Sequence, residues 1–269
     1  MKVVILTGNE TRHNYFRVKM ASDKRVHVVA TYCEGTEKSL ESRTIANVSS
    51  SKLELMHVRM RTQSEHDFFD SALNSIEDLS NPKVIIKGEI NNQEIVEEII
   101  SLNADVLVCY GSSLIRSSLL EIYQGRFLNV HLGLSPYYRG SGTNVWPLIN
   151  GEPYMVGATF MHIDAGIDTG NIIHQIRADI HPDDNPHSIG NRLISKMADV
   201  YCDIVVGFKD LSLEVQPSSS GSLYRQKDFN DEACAKLYQN FADGMIENYL
   251  KTSNKLLLPY IVENKGLKT

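Results

Sequence analysis

The chain has 269 residues, 42% hydrophobic and 22% charged, a balance that fits a soluble globular protein of one large domain or of one domain with an appendage. Its 33 acidic residues outnumber 27 basic ones, giving a net charge of −6, which argues against a polyanionic partner while leaving room for a local basic patch. No run approaches the 18 apolar residues of a membrane span, and the opening MKVVILTGNE reads as a first strand, not a signal peptide. Four widely spaced cysteines (33, 109, 202 and 234) form no CxxC pair and read as buried, reduced thiols of a cytoplasmic protein.

In chain order, short β-branched runs alternate with helical patterns. KVVILTG (2–8) predicts a strand, residues 12–22 a helix, and 26–34 a second strand. Residues 36–80 are charged and mostly helical in pattern, and 83–88 form another strand. In NNQEIVEEIISLNA (91–104) an asparagine cap precedes apolar residues at 95, 96, 99 and 100, the spacing of an amphipathic helix. DVLVCYG (105–111) is nearly continuous in apolar character, as in a parallel strand covered on both faces. FLNVH follows after another helix. This rhythm predicts an α/β fold with a doubly wound, mostly parallel sheet, whose ligands bind beyond the carboxyl ends of the strands.

The second half changes character. Residues 155–164 and 171–180 predict two strands joined by a glycine-punctuated connection, and Asn185-Pro186 opens a long helix ending near Phe208. VQPSSSGSLYR predicts two short strands around a Ser/Gly turn, and a last helix runs from about Asn230 to Thr252. The expected organisation is a domain over 1–208 with a short hairpin-plus-helix extension over 209–269. An edge strand of that hairpin would suit a homodimer.

Two strand ends carry the chemistry. Asn129 and His131 stand two apart on FLNVH and so share a side. An amide can donate to an oxygen gaining negative charge, and an imidazole can donate a proton or stabilise an oxyanion. The alternative is a strand whose polar end bonds a neighbouring loop. Asp168, flanked by Gly166 and Gly170, can orient the histidine or take a proton, although Asp164 and Asp168 also suit plain turn formation. No covalent nucleophile stands out, which favours direct transfer. HPDDNPH, with His174, His181 and His187 loosely clustered, reads as a turn and helix cap before it reads as a metal site, so no metal is expected.

NVHLGLSPYYRG and the later HIDAGIDTG together resemble the 10-formyltetrahydrofolate-dependent formyltransferase family, with its Asn-x-His at a strand end, a Pro-containing loop, and Asp-x-Gly-x-Asp-x-Gly. The resemblance covers roughly residues 80–205. It departs where the family often has Ser-Leu-Leu-Pro and this chain has Gly133-Leu134-Ser135-Pro136. It implies a Rossmann-like formyltransferase core and a catalytic trio of Asn129, His131 and Asp168. The cosubstrate would be 10-formyltetrahydrofolate, lying against Ser112, Ser113, Leu114 and Ile115 and against Asp164, Ala165, Gly166 and Ile167.

The acceptor is less defined. The N-terminal loop TGNETRHNYF has only Gly8, which weakens a phosphate loop of the purine-pathway members, yet Arg12 and His13 suit a phosphate or sugar. Tyr137, Tyr138, Arg139 and Gly140 suit an acceptor with sugar and phosphate, or else pack with Trp146 beneath the loop. The expected acceptor is a nucleotide-linked amino sugar for a surface polysaccharide, with neither nucleic acid nor membrane as partner. Alternatives are a methionyl-tRNA formyltransferase-like enzyme, a formyltetrahydrofolate hydrolase, and a non-catalytic binding module on the same fold.

Overall fold

A computed structural model describes residues 1–116, 118–217 and 221–267. Strand β1 (Lys2–Gly8) leads through α1 (Thr11–Ala21) to β2 (His27–Glu34), and α2 (Leu40–Ala46) and α3 (Lys52–Ser75) lead to β3 (Pro82–Ile85). Helix α4 (Gln93–Ser101) precedes β4 (Val106–Tyr110), and the short α5 (Leu119–Ile122) precedes β5 (Phe127–His131). A loop with β6 (Tyr138–Gly140) and α6 (Trp146–Ile149) leads to β7 (Gly157–His162) and β8 (Ile172–Arg177), then to the long α7 (Pro186–Gly207). β9 (Ser222–Tyr224), α8 (Asp231–Ala242) and α9 (Met245–Thr252) follow.

Seven strands form one sheet in the order β3-β2-β1-β4-β5-β7-β8. Pairing is parallel from β3 through β5, and β7 is antiparallel to both β5 and β8. The doubly wound expectation holds. Strand order reverses between β1 and β4, so a crevice opens at the carboxyl ends of those two strands.

Alternation along β1 separates two cores. Val3 and Ile5 join Val106, Val108 and the buried faces of α1 and α7 on one side. Val4 and Leu6 join Leu107, Cys109, Phe127 and the apolar face of α4 on the other, with Ile115 and Leu119. Continuous apolar strands are what a sheet covered on both faces requires.

Helix ends follow their capping chemistry. Asn185 Oδ1 accepts from the amides of His187 (2.9 Å) and Ser188 (3.0 Å), and Asn230 Oδ1 accepts from Ala233 N at 3.0 Å. Asn92 precedes α4 but makes no side-chain cap bond. The single final helix expected over 230–252 is two, α8 and α9, broken where Gly244 adopts φ +77°.

The expected C-terminal hairpin does not form between its two candidate arms. Glu214 bridges Ile172 beside β8, whereas β9 pairs in parallel with β6. Residues 218–220 of the Ser/Gly turn lie outside the described residues. A dimer resting on that hairpin therefore loses its premise. All four cysteines are buried and free, and burial pushes the thiols of Cys109, Cys202 and Cys234 up to about 12, so they are protonated packing groups.

One buried pair gives the fold an acid limit. His57 and His187 are 2% and 7% exposed, with ring centroids 5.0 Å apart, and Tyr238 OH lies 3.1 Å from His57 Nδ1. Burial holds His57 down to about 3, helped by His187, and holds His187 down to about 4. In the unfolded chain both titrate near 6.5, so below that pH the unfolded state binds protons first. Stability present above pH 6.5 should fall as pH drops towards 4, by about 1.4 kcal/mol per histidine per pH unit. Denaturant midpoints between pH 7 and 5 check this: His187→Gln should flatten the slope, and an equally steep variant would contradict it.

Candidate active site

One cavity of about 880 Å³ opens at the crevice, within the size range of small-molecule sites. Its floor is the end of β5. Asn129 pairs with Cys109 of β4 and Met161 of β7, and His131 pairs with Thr159. Two-residue spacing brings both side chains to the cavity lining. The Asn129 amide is part-buried and makes no side-chain hydrogen bond among the described residues, which leaves its N–H groups for a ligand.

His131 is 8% exposed and held at both ring nitrogens. Nε2 lies 3.1 Å from the Tyr138 carbonyl oxygen and 3.1 Å from Thr143 Oγ1. The Thr143 hydroxyl donates to Leu132 O at 2.7 Å, so toward His131 it acts as an acceptor. Nε2 faces two acceptors and therefore carries a proton. Nδ1 sits 3.3 Å from Asp168 Oδ2.

Asp168 reaches this position through a constrained turn. Its own φ is +53°, a left-handed conformation that aspartate tolerates better than most residues. Asp164 Oδ1 closes the turn by accepting from Gly166 N (2.9 Å) and Thr169 Oγ1 (2.7 Å). A Cβ at Gly170 would stand 1.8 Å from His162 O, so only glycine lets the chain pass. Gln216 Nε2 donates to the carbonyls of Asp168 (3.1 Å) and Gly170 (2.7 Å), and Gly140 N donates to Asp168 Oδ2 at 2.9 Å. Of the two aspartates readable as turn-formers, Asp164 makes the turn and Asp168 is aimed at His131.

Ser112, Ser113, Leu114 and Ile115 line the cavity, as do Asp164, Gly166 and Ile167, while Ala165 does not. The 112–116 segment is pinned from elsewhere. Glu34, 1% exposed at the end of β2, accepts from Ser113 N and from Gly88 N (2.7 Å) and pairs with Lys87 Nζ at 2.8 Å. Asn91 donates to Leu114 O at 3.0 Å and accepts from Arg116 N at 2.7 Å. The asparagine beside α4 thus holds this segment where a helix cap was expected.

Glu34→Gln keeps the shape and removes the charge. It should cost about 3 kcal/mol of stability, because Lys87 is left beside a neutral group. It should also raise KM for a ligand of the 112–115 segment by about tenfold with kcat little changed. Steady-state kinetics beside a thermal melt check this: lost stability with an unchanged KM would show that Glu34 does not position the segment.

Arg12 and His13 both line the cavity. Burial alone would lower the Arg12 pKa, but Glu65 (2.7 Å) and Glu10 hold the guanidinium charged. His13 is buried between the ends of β1 and β4, and a Cβ at Gly8 or Gly111 would lie 2.5 Å or 2.3 Å from its ring. Burial, then Arg12, Arg61 and Lys87, keeps it well below the usual histidine range, so it is a neutral spacer accepting from Glu10 N.

The loop after His131 departs from expectation. Gly140 lines the cavity, but Tyr137, Tyr138 and Arg139 do not. Tyr137 OH donates to Tyr260 O at 3.2 Å, and Tyr138 is buried with its hydroxyl on Glu152 and Asn150. Pairing with β9 is the cause: Tyr224 stacks on Tyr138 at 5.7 Å and on Trp146 at 4.3 Å, which takes those rings under the loop. The wall here is instead Leu223, Tyr224, Arg225, Gln226 and Phe229. Among the described residues no group of three or more His, Cys, Asp or Glu is placed to hold a metal; His187 packs with His57.

Fold and site define a doubly wound α/β protein with an Asn–His–Asp cluster at the carboxyl ends of its strands. The chain belongs to the formyl transferase family, whose model matches residues 1–205. Among curated relatives it is 32% identical over 166 residues to a methionyl-tRNA formyltransferase of Geobacter metallireducens and 34% identical over 156 residues to one of Geotalea uraniireducens. These alignments cover 61% and 57% of this chain, which spans about half the length of either relative (50% and 46%). Among solved structures, a 4-N formyltransferase from Francisella tularensis matches with TM-score 0.55 at 19% identity, covering 88% of this chain and 86% of that one. An N-formyltransferase from Helicobacter canadensis, solved with folinic acid and dTDP-3-aminofucose, matches with TM-score 0.54 at 16% identity over 90% and 81%. Phosphoribosylglycinamide formyltransferase from Anaplasma phagocytophilum matches with TM-score 0.55 at 13% identity over 84% and 98%. At these identities the likeness is one of fold.

Proposed function

We propose that the chain moves a formyl group from 10-formyltetrahydrofolate to the amine of a nucleotide-linked amino sugar, in the cytoplasmic assembly of a surface polysaccharide. The convergence of Asn129, His131 and Asp168 on one cavity floor carries this reading. The folate lies against residues 112–115 and the 164–168 turn. The acceptor amine attacks the formyl carbon, and a new C–N bond forms as the bond to folate N10 breaks. Asn129 donates to the formyl oxygen as it gains charge. The proton lost by the amine passes to the His131–Asp168 pair and is returned to N10, leaving a formamide and tetrahydrofolate. His131 thus differs in emphasis from a plain oxyanion donor, since both its ring nitrogens are already engaged.

A small acceptor is supported by the cavity's size and by its wall. Leu223, Tyr224, Arg225, Gln226 and Phe229 of the C-terminal segment line it. Support also comes from the Helicobacter canadensis enzyme of the same fold, solved with a nucleotide-linked amino sugar. Met-tRNA is the second reading, favoured by the names of the curated relatives. The test is folate turnover with and without acceptor. Tetrahydrofolate formed only with a nucleotide-linked amino sugar supports the proposal. Formate released without acceptor would make the protein a hydrolase, and turnover only with Met-tRNA would replace the sugar.

A further inference from the structure

The cavity straddles the strand ends, and its two sides differ in charge. Ile115 and Ile163 pack with the core beneath α4, so the 112–115 segment lies on that side. Tyr224 and Phe229 pack with the opposite core, with α7 and α8. On this second side most charges are matched: Arg12 pairs with Glu65 and Glu10, and Arg61 lies 3.3 Å from Glu65. Three cations that line the same cavity are not. Lys38, Arg43 and Arg225 make no ion pair among the described residues, although the protein as a whole carries a net charge of −6. Arg43 bonds Gln226, the residue that follows Arg225, and Ser39 O. Beside them stand two apolar surfaces, Leu223, 44% exposed, and the Phe229 ring.

Unpaired cations inside a concavity raise the local concentration of anions, and arginine forks match phosphate oxygens. We infer that Lys38, Arg43 and Arg225 form a diphosphate-binding wall, with Leu223 and Phe229 receiving the attached nucleoside. This deepens the acceptor reading above and rests on it. The Leu223–Phe229 end of the wall lies across the strand ends from the 112–115 segment, which places the nucleoside away from the folate and leaves Asn129, His131 and Asp168 between the two ligands. Its parts come from residues 38–43, at the start of α2, and from residues 223–229, in and after β9, joined only by tertiary contact. A cavity of about 880 Å³ has room for a nucleoside diphosphate.

The test is calorimetric titration of the full chain with UDP, dTDP and inorganic pyrophosphate, and separately with 5-formyltetrahydrofolate. At least one nucleoside diphosphate should bind more tightly than pyrophosphate, and binding should weaken as salt rises. Arg43→Ala and Arg225→Ala should each weaken it about tenfold without altering the folate analogue's affinity. Both residues are exposed, so circular dichroism should show an unchanged fold. Arg225→Glu provides a stronger arm and should abolish diphosphate binding. The inference is overturned if no nucleoside diphosphate binds, if the variants bind it as the wild type does, or if they weaken the folate analogue instead. Its failure is separable from that of the acceptor reading. Formylation of an amino sugar with arginine-independent diphosphate binding would sink the wall alone. Diphosphate binding that needs both arginines, with no amino sugar formylated, would keep the wall and remove the proposed acceptor.

Discussion

Asn129→Ala is expected to lower kcat for formyl transfer by about 100- to 1,000-fold while the protein stays folded. The amide sits at the end of a central strand, part-buried, on the cavity floor. It makes no side-chain bond among the described residues, so its loss leaves no internal partner unsatisfied and creates only a small space at the cavity edge. The cost should fall on the transition state, where negative charge develops on the formyl oxygen, and little on ground-state binding. KM for either substrate should move by a few-fold at most. Rapid-mixing kinetics beside a thermal melt read both quantities. A variant with near-normal kcat would show that the oxygen is stabilised elsewhere.

Asp168→Asn is expected to lose about 100- to 10,000-fold in turnover. Asparagine tolerates the left-handed φ of +53° that this position needs, so the turn should survive, and its side-chain oxygen can still accept from Gly140 N. What changes is the charge facing His131 Nδ1 at 3.3 Å. With Nε2 already committed to Tyr138 O and Thr143, a neutral partner at Nδ1 removes the group that shares the proton. Asp168→Ala would mix this effect with backbone strain, and comparing the two variants separates charge from conformation. If Asp168→Asn were fully active and Asp168→Ala inactive, the carboxylate would be a turn element only.

Much of the frame was legible in the residues. Alternating apolar runs and helical periods led to the doubly wound sheet because a strand covered on both faces has to be continuously apolar, as 105–111 is. Asn129 and His131 were legible as a pair because strand periodicity is local. Asp168 was harder: the spacing of glycines marks a turn, but not which of two aspartates turns inward. That choice is made by Gly140 and Gln216, 28 and 48 residues away in sequence. Glu34 was invisible for the same reason, its contact with Ser113 spanning 79 residues. The tyrosines of 137–138 misled because an aromatic in a loop is equally suited to a ligand or to packing. The decision came from β9, which pairs with β6 and brings Tyr224 against them. The same pairing explains why the two arms of the expected hairpin never met.

Transfer of an isotopically labelled formyl carbon tests the central claim most directly. The protein would be incubated with 10-formyltetrahydrofolate labelled at that carbon and a panel of nucleotide-linked amino sugars, and the label followed by carbon NMR. The label should appear as a formamide on one sugar, at a rate that collapses in Asn129→Ala and Asp168→Asn. Label recovered only as free formate, or formamide produced at undiminished rate by both variants, would contradict it.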